Sequence, residues 1–224
     1  MRVDGDTRKR VESALESFTL QRGTILCEAG EVLEYVYFPE TSVLSLLTVL
    51  TDGTQIETAT IGQEGAFGAL ASMGSTLAYS RCMVQFGGQV SRIDVRRMRT
   101  ELDQSTALRE IFVRYAEATL FQVQQSAACN ALHPVEARLS RWLLEMSDRA
   151  ATDRLPLTHE FIAEFLGANR TTVSLAAAAL QSAEFISYQR GFIDILDRRG
   201  LESAACECYA SVREQENRIW LGRK

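Results

Sequence analysis

Leu157-Thr-His-Glu-Phe-Ile-Ala-Glu-Phe-Leu-Gly-Ala-Asn-Arg-Thr-Thr-Val-Ser-Leu-Ala176 is the stretch that decides the architecture. Thr158 can cap a helix in which Phe161, Ile162, Phe165 and Leu166 form the buried side. Gly167 follows Ala163 by four residues, and Val173 follows Gly167 by six. Two helices that cross steeply need a small residue where they approach, a glycine able to turn left-handed, and a β-branched anchor that seats the second helix. The spacing predicts a helix-turn-helix. Asn169 is a good N-cap for the second helix, which leaves Arg170, Thr171, Thr172 and Ser174 in its first turns, where recognition helices meet base edges. Thr158, at the start of the first helix, is a further candidate contact to double-stranded DNA.

Working outward, Ile186 and Tyr188 sit on one expected strand and Ile193 and Ile195 on the next, with Arg190-Gly191 between them. A hairpin after a helix-turn-helix is a wing, and Arg190 at its tip would lie near a phosphate. Upstream, His133-Pro134 breaks the preceding helix, because proline suits a first helical turn and disfavours continuation. Val135, Leu139, Trp142, Leu143 and Met146 then recur at helical spacing.

From about Gly23 to Asp94 the pattern is that of short strands and turns. Thr24–Cys27, Tyr35–Phe38, Ser42–Leu50, Thr54–Ile61, Cys82–Phe86 and Gln89–Ile93 read as strands, with Asp52-Gly53 supporting a tight hairpin. Glycines at 62, 65, 68 and 74 surround a segment where a short helix fits. This predicts an antiparallel roll. Between Thr106 and Asn130 there is neither Pro nor Gly, and apolar side chains spread over more than half of a helical wheel. A surface helix needs only about 100° of apolar arc, so this one is expected to bury against both the roll and a second copy of the chain. Leu108, Ile111, Phe112, Tyr115, Thr119 and Gln122 are the expected homodimer contacts; Phe121 falls on the polar side of the wheel and is not explained by it. The fold class is α+β, divided as a β-roll over 1–104, a dimerisation helix over 105–132, a winged helix-turn-helix over 133–200 and a C-terminal extension over 201–224.

Val36-Tyr-Phe, Asp52-Gly53, Ala59-Thr-Ile-Gly-Gln-Glu-Gly-Ala-Phe-Gly68, Leu166-Gly-Ala-Asn-Arg-Thr-Thr-Val-Ser174 and Phe185-Ile-Ser-Tyr-Gln-Arg-Gly191 together resemble the Crp/Fnr family of bacterial transcription regulators. The resemblance runs over roughly residues 20–200 and implies a cyclic-nucleotide-binding-like roll, a long dimerising helix and a winged helix. It implies that Arg170 contacts a guanine, that a near-palindrome is bound by a homodimer, and that RNA polymerase is a partner. Thr171 and Leu175 stand where the family often carries Glu and a basic residue, and either could meet a thymine methyl. The family's phosphate-binding turn is Phe-Gly-Glu followed by an Arg-Ser or Arg-Thr pair; here it is Phe67-Gly68-Ala69 with Arg81-Cys82. Gly68, Ala69, Arg81, Cys82 and Val123 form the expected effector pocket, and the missing ribose-binding carboxylate predicts an effector other than cyclic AMP. A cyclic-nucleotide or redox response, the latter through Cys82 or Cys129, is the alternative, as is a non-DNA-binding adaptor on the same fold.

Composition closes off other classes. The net charge of −5 argues against a sequence-independent nucleic-acid coat, while 22 of the 24 basic residues are arginines, whose planar fork suits phosphates and guanine edges. Residues 134–200 carry 8 Arg against 9 acidic residues, which is compatible with the adaptor. The roll holds no histidine, and neither a G-x-S-x-G elbow nor a phosphate loop occurs, so no enzyme activity is expected. The first seventeen residues lack the apolar core of an export signal, no apolar run reaches the roughly 20 residues of a membrane span, and five scattered cysteines fit a reducing cytoplasm. Cys206-Glu-Cys208 is too tight for an ordinary zinc clip and only His133 and His159 are available besides, so no metal and no cofactor is expected. An iron–sulfur sensor is unsupported too, since 1–21 contains no cysteine.

Overall fold

The structure, a computed structural model, describes residues 3–221, so the outermost residues of the expected 1–104 and 201–224 segments lie outside it. The described chain runs α1 (Gly5–Ser13), β1 (Glu16–Leu20), β2 (Ile25–Cys27), β3 (Tyr35–Pro39), β4 (Val43–Val49), β5 (Gln55–Ile61), α2 (Ala69–Met73), β6 (Arg81–Phe86), β7 (Gly88–Asp94), α3 (Val95–Gln104) and α4 (Thr106–Leu132). It continues through α5 (Val135–Ala150), β8 (Arg154–Leu155), α6 (His159–Leu166), α7 (Arg170–Ser182), β9 (Ile186–Gln189), β10 (Phe192–Ile195), α8 (Arg198–Ala204) and α9 (Cys208–Leu221). It forms two compact units that do not follow linear order: Met1–Thr48 with Ala59–Leu120, and Val49–Thr58 with Phe121–Lys224.

The first unit is an antiparallel roll, as the alternating segments predict. Its strands form a β1-β7-β3 sheet and a β2-β6-β4-β5 sheet, the outer end of the β4–β5 hairpin being counted with the second unit. Val36, Leu44, Val84, Val90, Ile93, Met98 and Leu102 close the core between them. Each such side chain contributes about 1.5–3 kcal/mol by leaving water. Helices α1 and α3 are additions that the strand pattern does not signal. Asp4 caps α1 by accepting from the N–H groups of Asp6 and Thr7, and the Arg10 guanidinium reaches Glu101 of α3 at 2.8 Å. Glu101 is buried and takes a second arginine, Arg97, at 3.0 Å. Leu108 and Phe112 of α4 enter this same core, and Tyr115 packs against it. A Cβ on Gly65 would meet the Tyr115 ring at 2.5 Å, so the bare glycine is what lets that ring lie on the loop.

The second unit is built around α5, whose Leu139, Trp142, Leu143, Leu144 and Met146 are fully buried. Phe165 of α6 packs on Trp142 and on Phe161, with ring centroids 6.2 and 4.2 Å apart. The hairpin tip 49–58 belongs to this core as well. Trp142 donates its indole N–H to Glu57 at 2.7 Å, Gln55 donates to Glu164 at 2.5 Å, and both Gln55 and Glu57 are buried. The β8-β10-β9 sheet completes the unit, followed by α8 and α9.

Candidate functional site

The start of α7 is constructed from short-range chemistry. Thr158 caps α6 by accepting from the Phe161 N–H at 3.2 Å. At the other end Gly167 takes φ +57°, which lets the chain leave α6 and enter α7 within three residues. Asn169 then caps α7, its side-chain oxygen accepting from the Thr171 N–H at 2.8 Å. Val173, Ala176, Ala177 and Leu180 hold the inner face, so Arg170, Thr171 and Thr172 are left facing solvent. Arg170, the first helical residue, adds its charge to the positive end of the helix dipole. Ser174 differs from its neighbours: it is half-buried and bonds His159 Nδ1 at 3.0 Å, while the imidazole stacks on Tyr188 of β9 at 4.1 Å. Burial, assisted by the charge of Arg170, holds the His159 pKa below its ordinary value. His159 thus clamps α6, α7 and the wing together, and Ser174 serves that clamp.

The wing is a two-residue hairpin. Gln189 pairs with Phe192, and the intervening Arg190 and Gly191 take φ +51° and +81°, the twist that matches flanking strands. Arg190 is exposed at its tip.

Residues 137–204 match the family model described as the Crp-like helix-turn-helix domain. The chain has a Crp/Fnr-type fold and carries a Crp-like helix-turn-helix domain.

Its structure is similar to that of FixK2 from Bradyrhizobium japonicum, at 18% identity and a TM-score of 0.73, over 86% of this chain and 98% of that one. It is also similar to TTHB099, a CRP-family transcriptional regulator from Thermus thermophilus, at 22% identity and a TM-score of 0.69, over 84% and 96% of the two chains. TTHA1359, a CRP/FNR-family transcriptional regulator of the same organism, gives 19% identity and a TM-score of 0.66 over 85% and 98%. No curated protein matches the chain in sequence. Among the described residues, no helix is long and apolar enough to cross a membrane.

In the roll the expected effector residues are placed as follows. Gly68 takes φ +87° at the start of α2 and Ala69 behind it is buried. Arg81 opens β6 and its Nε donates to Glu28 at 2.9 Å, so an anion would have to compete with a carboxylate already in place. Cys82 is completely buried, and burial pushes its thiol well above the usual range. Val123 is half-buried and lies in the second unit.

Along α4, Leu108, Phe112 and Gln122 are buried within the single chain. Ile111, Tyr115 and Thr119 are half-buried, Thr119 donating its hydroxyl to the Tyr115 carbonyl at 3.0 Å. The exposed large apolar side chains of α4 are Val113 and Leu120, seven residues apart, and Leu132 at its end. The wheel shows the width of an apolar arc but not which part the same chain covers.

The expectation that the chain has no metal-ligating set and no place for a cofactor is overturned. Cys129 and His133, one turn apart at the end of α4, meet Cys206 and Cys208 at the α8–α9 junction, and their four ligand atoms lie within 4.8 Å of one another. Cys129 Sγ is 3.5 Å from Cys206 Sγ, and Cys208 Sγ is 3.5 Å from His133 Nδ1. All three thiols are buried. Hydrogen bonding with Cys206, together with the charge of Arg141, holds the Cys129 thiol below its ordinary pKa, while hydrogen bonding to Cys129 and burial push Cys206 upward. The hydrogen bond with Cys129 also raises His133 above its ordinary value. Cys206-Glu-Cys208 judged alone is too tight to clip a metal; the signal that would have found the cluster is the i,i+4 pair Cys129 and His133, a half-site in search of two more ligands.

Proposed function

We propose that the chain is a sequence-specific DNA-binding transcription regulator that acts as a homodimer on a near-palindromic site. The observation that carries this is the outward-facing start of α7, where Asn169 fixes the backbone and Arg170, Thr171 and Thr172 are exposed. Arg170 is the residue for a guanine edge, and the exposed Leu175 and Thr171 suit thymine methyl groups. Thr158 and Arg190 supply flanking phosphate contacts, and Ser174 supports the helix through His159. The seam between copies runs along α4 through Val113 and Leu120, flanked by Ile111, Tyr115 and Thr119, and would set half-sites about 34 Å apart. The roll, 1–104, takes an effector other than cyclic AMP, because Glu28 holds Arg81 and Ala69 stands where a carboxylate would be needed. The regulator works in the cytoplasm with RNA polymerase as its partner, carries no catalytic activity, and uses 133–200 to read DNA.

Genome-wide occupancy mapping followed by fluorescence anisotropy on the enriched sites tests the proposal. The expected result is saturable, salt-dependent binding by a dimer, weakened in Arg170→Ala. A chain that is monomeric at micromolar concentration, or that binds enriched and scrambled sites equally, would defeat it.

A further inference from the structure

We propose that Cys129, His133, Cys206 and Cys208 bind one divalent transition-metal ion, zinc by preference, as a tetrahedral Cys3His centre joining the end of α4 to the α8–α9 junction. Zinc–sulfur bonds of about 2.3 Å and zinc–nitrogen bonds of about 2.0–2.1 Å place tetrahedral sulfurs about 3.8 Å apart and sulfur and nitrogen about 3.6 Å apart. The observed separations of 3.5 Å for Cys129 to Cys206 and 3.5 Å for Cys208 to His133 match that shell. They do not match a disulfide, whose sulfurs bond at about 2.05 Å. A four-iron cluster needs its ligand atoms spread around a cube of irons, wider than the 4.8 Å limit that contains all four here.

The surroundings are those of a supported site. His133 turns Nδ1 inward and Nε2 toward Glu207, 3.3 Å from the carboxylate, which fixes the tautomer that ligates. Gln125, one turn before Cys129, donates its side-chain N–H to Cys208 Sγ at 3.0 Å. Soft thiolates with one imidazole select zinc over magnesium or calcium, which prefer oxygen. Binding exchanges protons for metal without a change of oxidation state: three thiols release three protons to water, and His133 coordinates as the neutral imidazole. The product carries a net charge of −1, offset by Arg138 and Arg141, which α5 holds within electrostatic reach of Cys129 and Cys206. Glu207 is exposed and His133 partly so, which leaves the ion a way in.

The test is a titration of the full reduced chain, stripped by chelator, with cobalt(II) under anaerobic conditions. One equivalent per chain should give a thiolate-to-cobalt charge-transfer band and the intense visible bands of tetrahedral cobalt, both abolished by zinc. Native mass spectrometry of untreated protein should find one zinc per chain. Cys129→Ser and Cys208→Ser should lose the bands while Cys82→Ser keeps them. His133→Cys should retain binding with a spectrum shifted toward four thiolates, a readout that survives even if the serine variants fold poorly. No stoichiometric absorption, bands that persist in both serine variants, or two or more irons per chain with acid-labile sulfide would each overturn the proposal. So would air-formed Cys129–Cys206 disulfide in a protein that, once reduced, takes up no metal.

Discussion

At the start of α7, Asn169, Arg170, Thr171 and Thr172 face water; at the end of α4, Cys129, His133, Cys206 and Cys208 turn toward one another away from it. Both places gather polar atoms on neighbouring helices of one unit, but the partners they can accept differ in size. Exposed donors spaced along a helix fit something as large as a DNA groove, whereas four ligand atoms converging within 4.8 Å leave room for a single ion. Convergence, more than burial, is what distinguishes a ligand site from a packed core. Cys27 and Cys82 of the roll are just as buried, yet they face each other across two strands, and among the described residues they belong to no cluster of ligand atoms.

The comparison breaks if the two places cannot be separated by mutation. Arg170→Ala should cost about 1–3 kcal/mol of specific DNA binding, roughly ten- to a hundredfold, with no change in cobalt binding. Because the side chain is exposed, the thermal midpoint should stay within the range of about ±0.5 kcal/mol of stability. A melting shift as large as that of Cys208→Ser would mean that the tip is a packing element after all. Gly167→Ala tests the turn: a Cβ at φ +57° is strained and would meet the Ile56 Cδ1 at 2.6 Å. Denaturant unfolding should show a loss of roughly 1–2 kcal/mol. Asn169→Ala, which removes the cap alone, should lower stability by about 1 kcal/mol and DNA affinity with it, whereas Asn169→Asp should restore the stability.

The smallest effect is a pH dependence. His159 has a folded pKa below its unfolded value of 6.5, so the unfolded chain takes up the proton first. Its contribution to stability is complete above about pH 6.5 and declines as pH falls below that value. Subtracting the profile of His159→Gln from that of the unaltered chain cancels the opposite trend of His133. A flat difference would remove His159 from the clamp between α6, α7 and the wing.

Much of this was legible in the sequence because it is local. Thr158, Gly167, Asn169 and the Arg190-Gly191 turn each do their work within a few residues of themselves, so spacing alone reveals them. The strands of the roll were legible for the same reason, through alternation and turn residues. What could not be read depends on residues far apart in the chain. Helix α1 depends on Arg10 meeting Glu101, and the covered face of α4 depends on where the roll core lies. The cluster needs Cys129 brought to Cys206 across 77 positions. Within β5, Gln55 and Glu57 look like solvent-facing residues and are instead buried, because Glu164 and the Trp142 indole receive them.

The hairpin tip 49–58 carries a consequence for anyone who would dissect the molecule. No single cut yields an intact second unit, since part of its interior is threaded in from a stretch translated far earlier. A fragment beginning at Phe121 would leave the Trp142 indole without its acceptor and Glu164 without its amide donor. Such a fragment should fold poorly by itself and regain order when a peptide of those ten residues is returned to the solution.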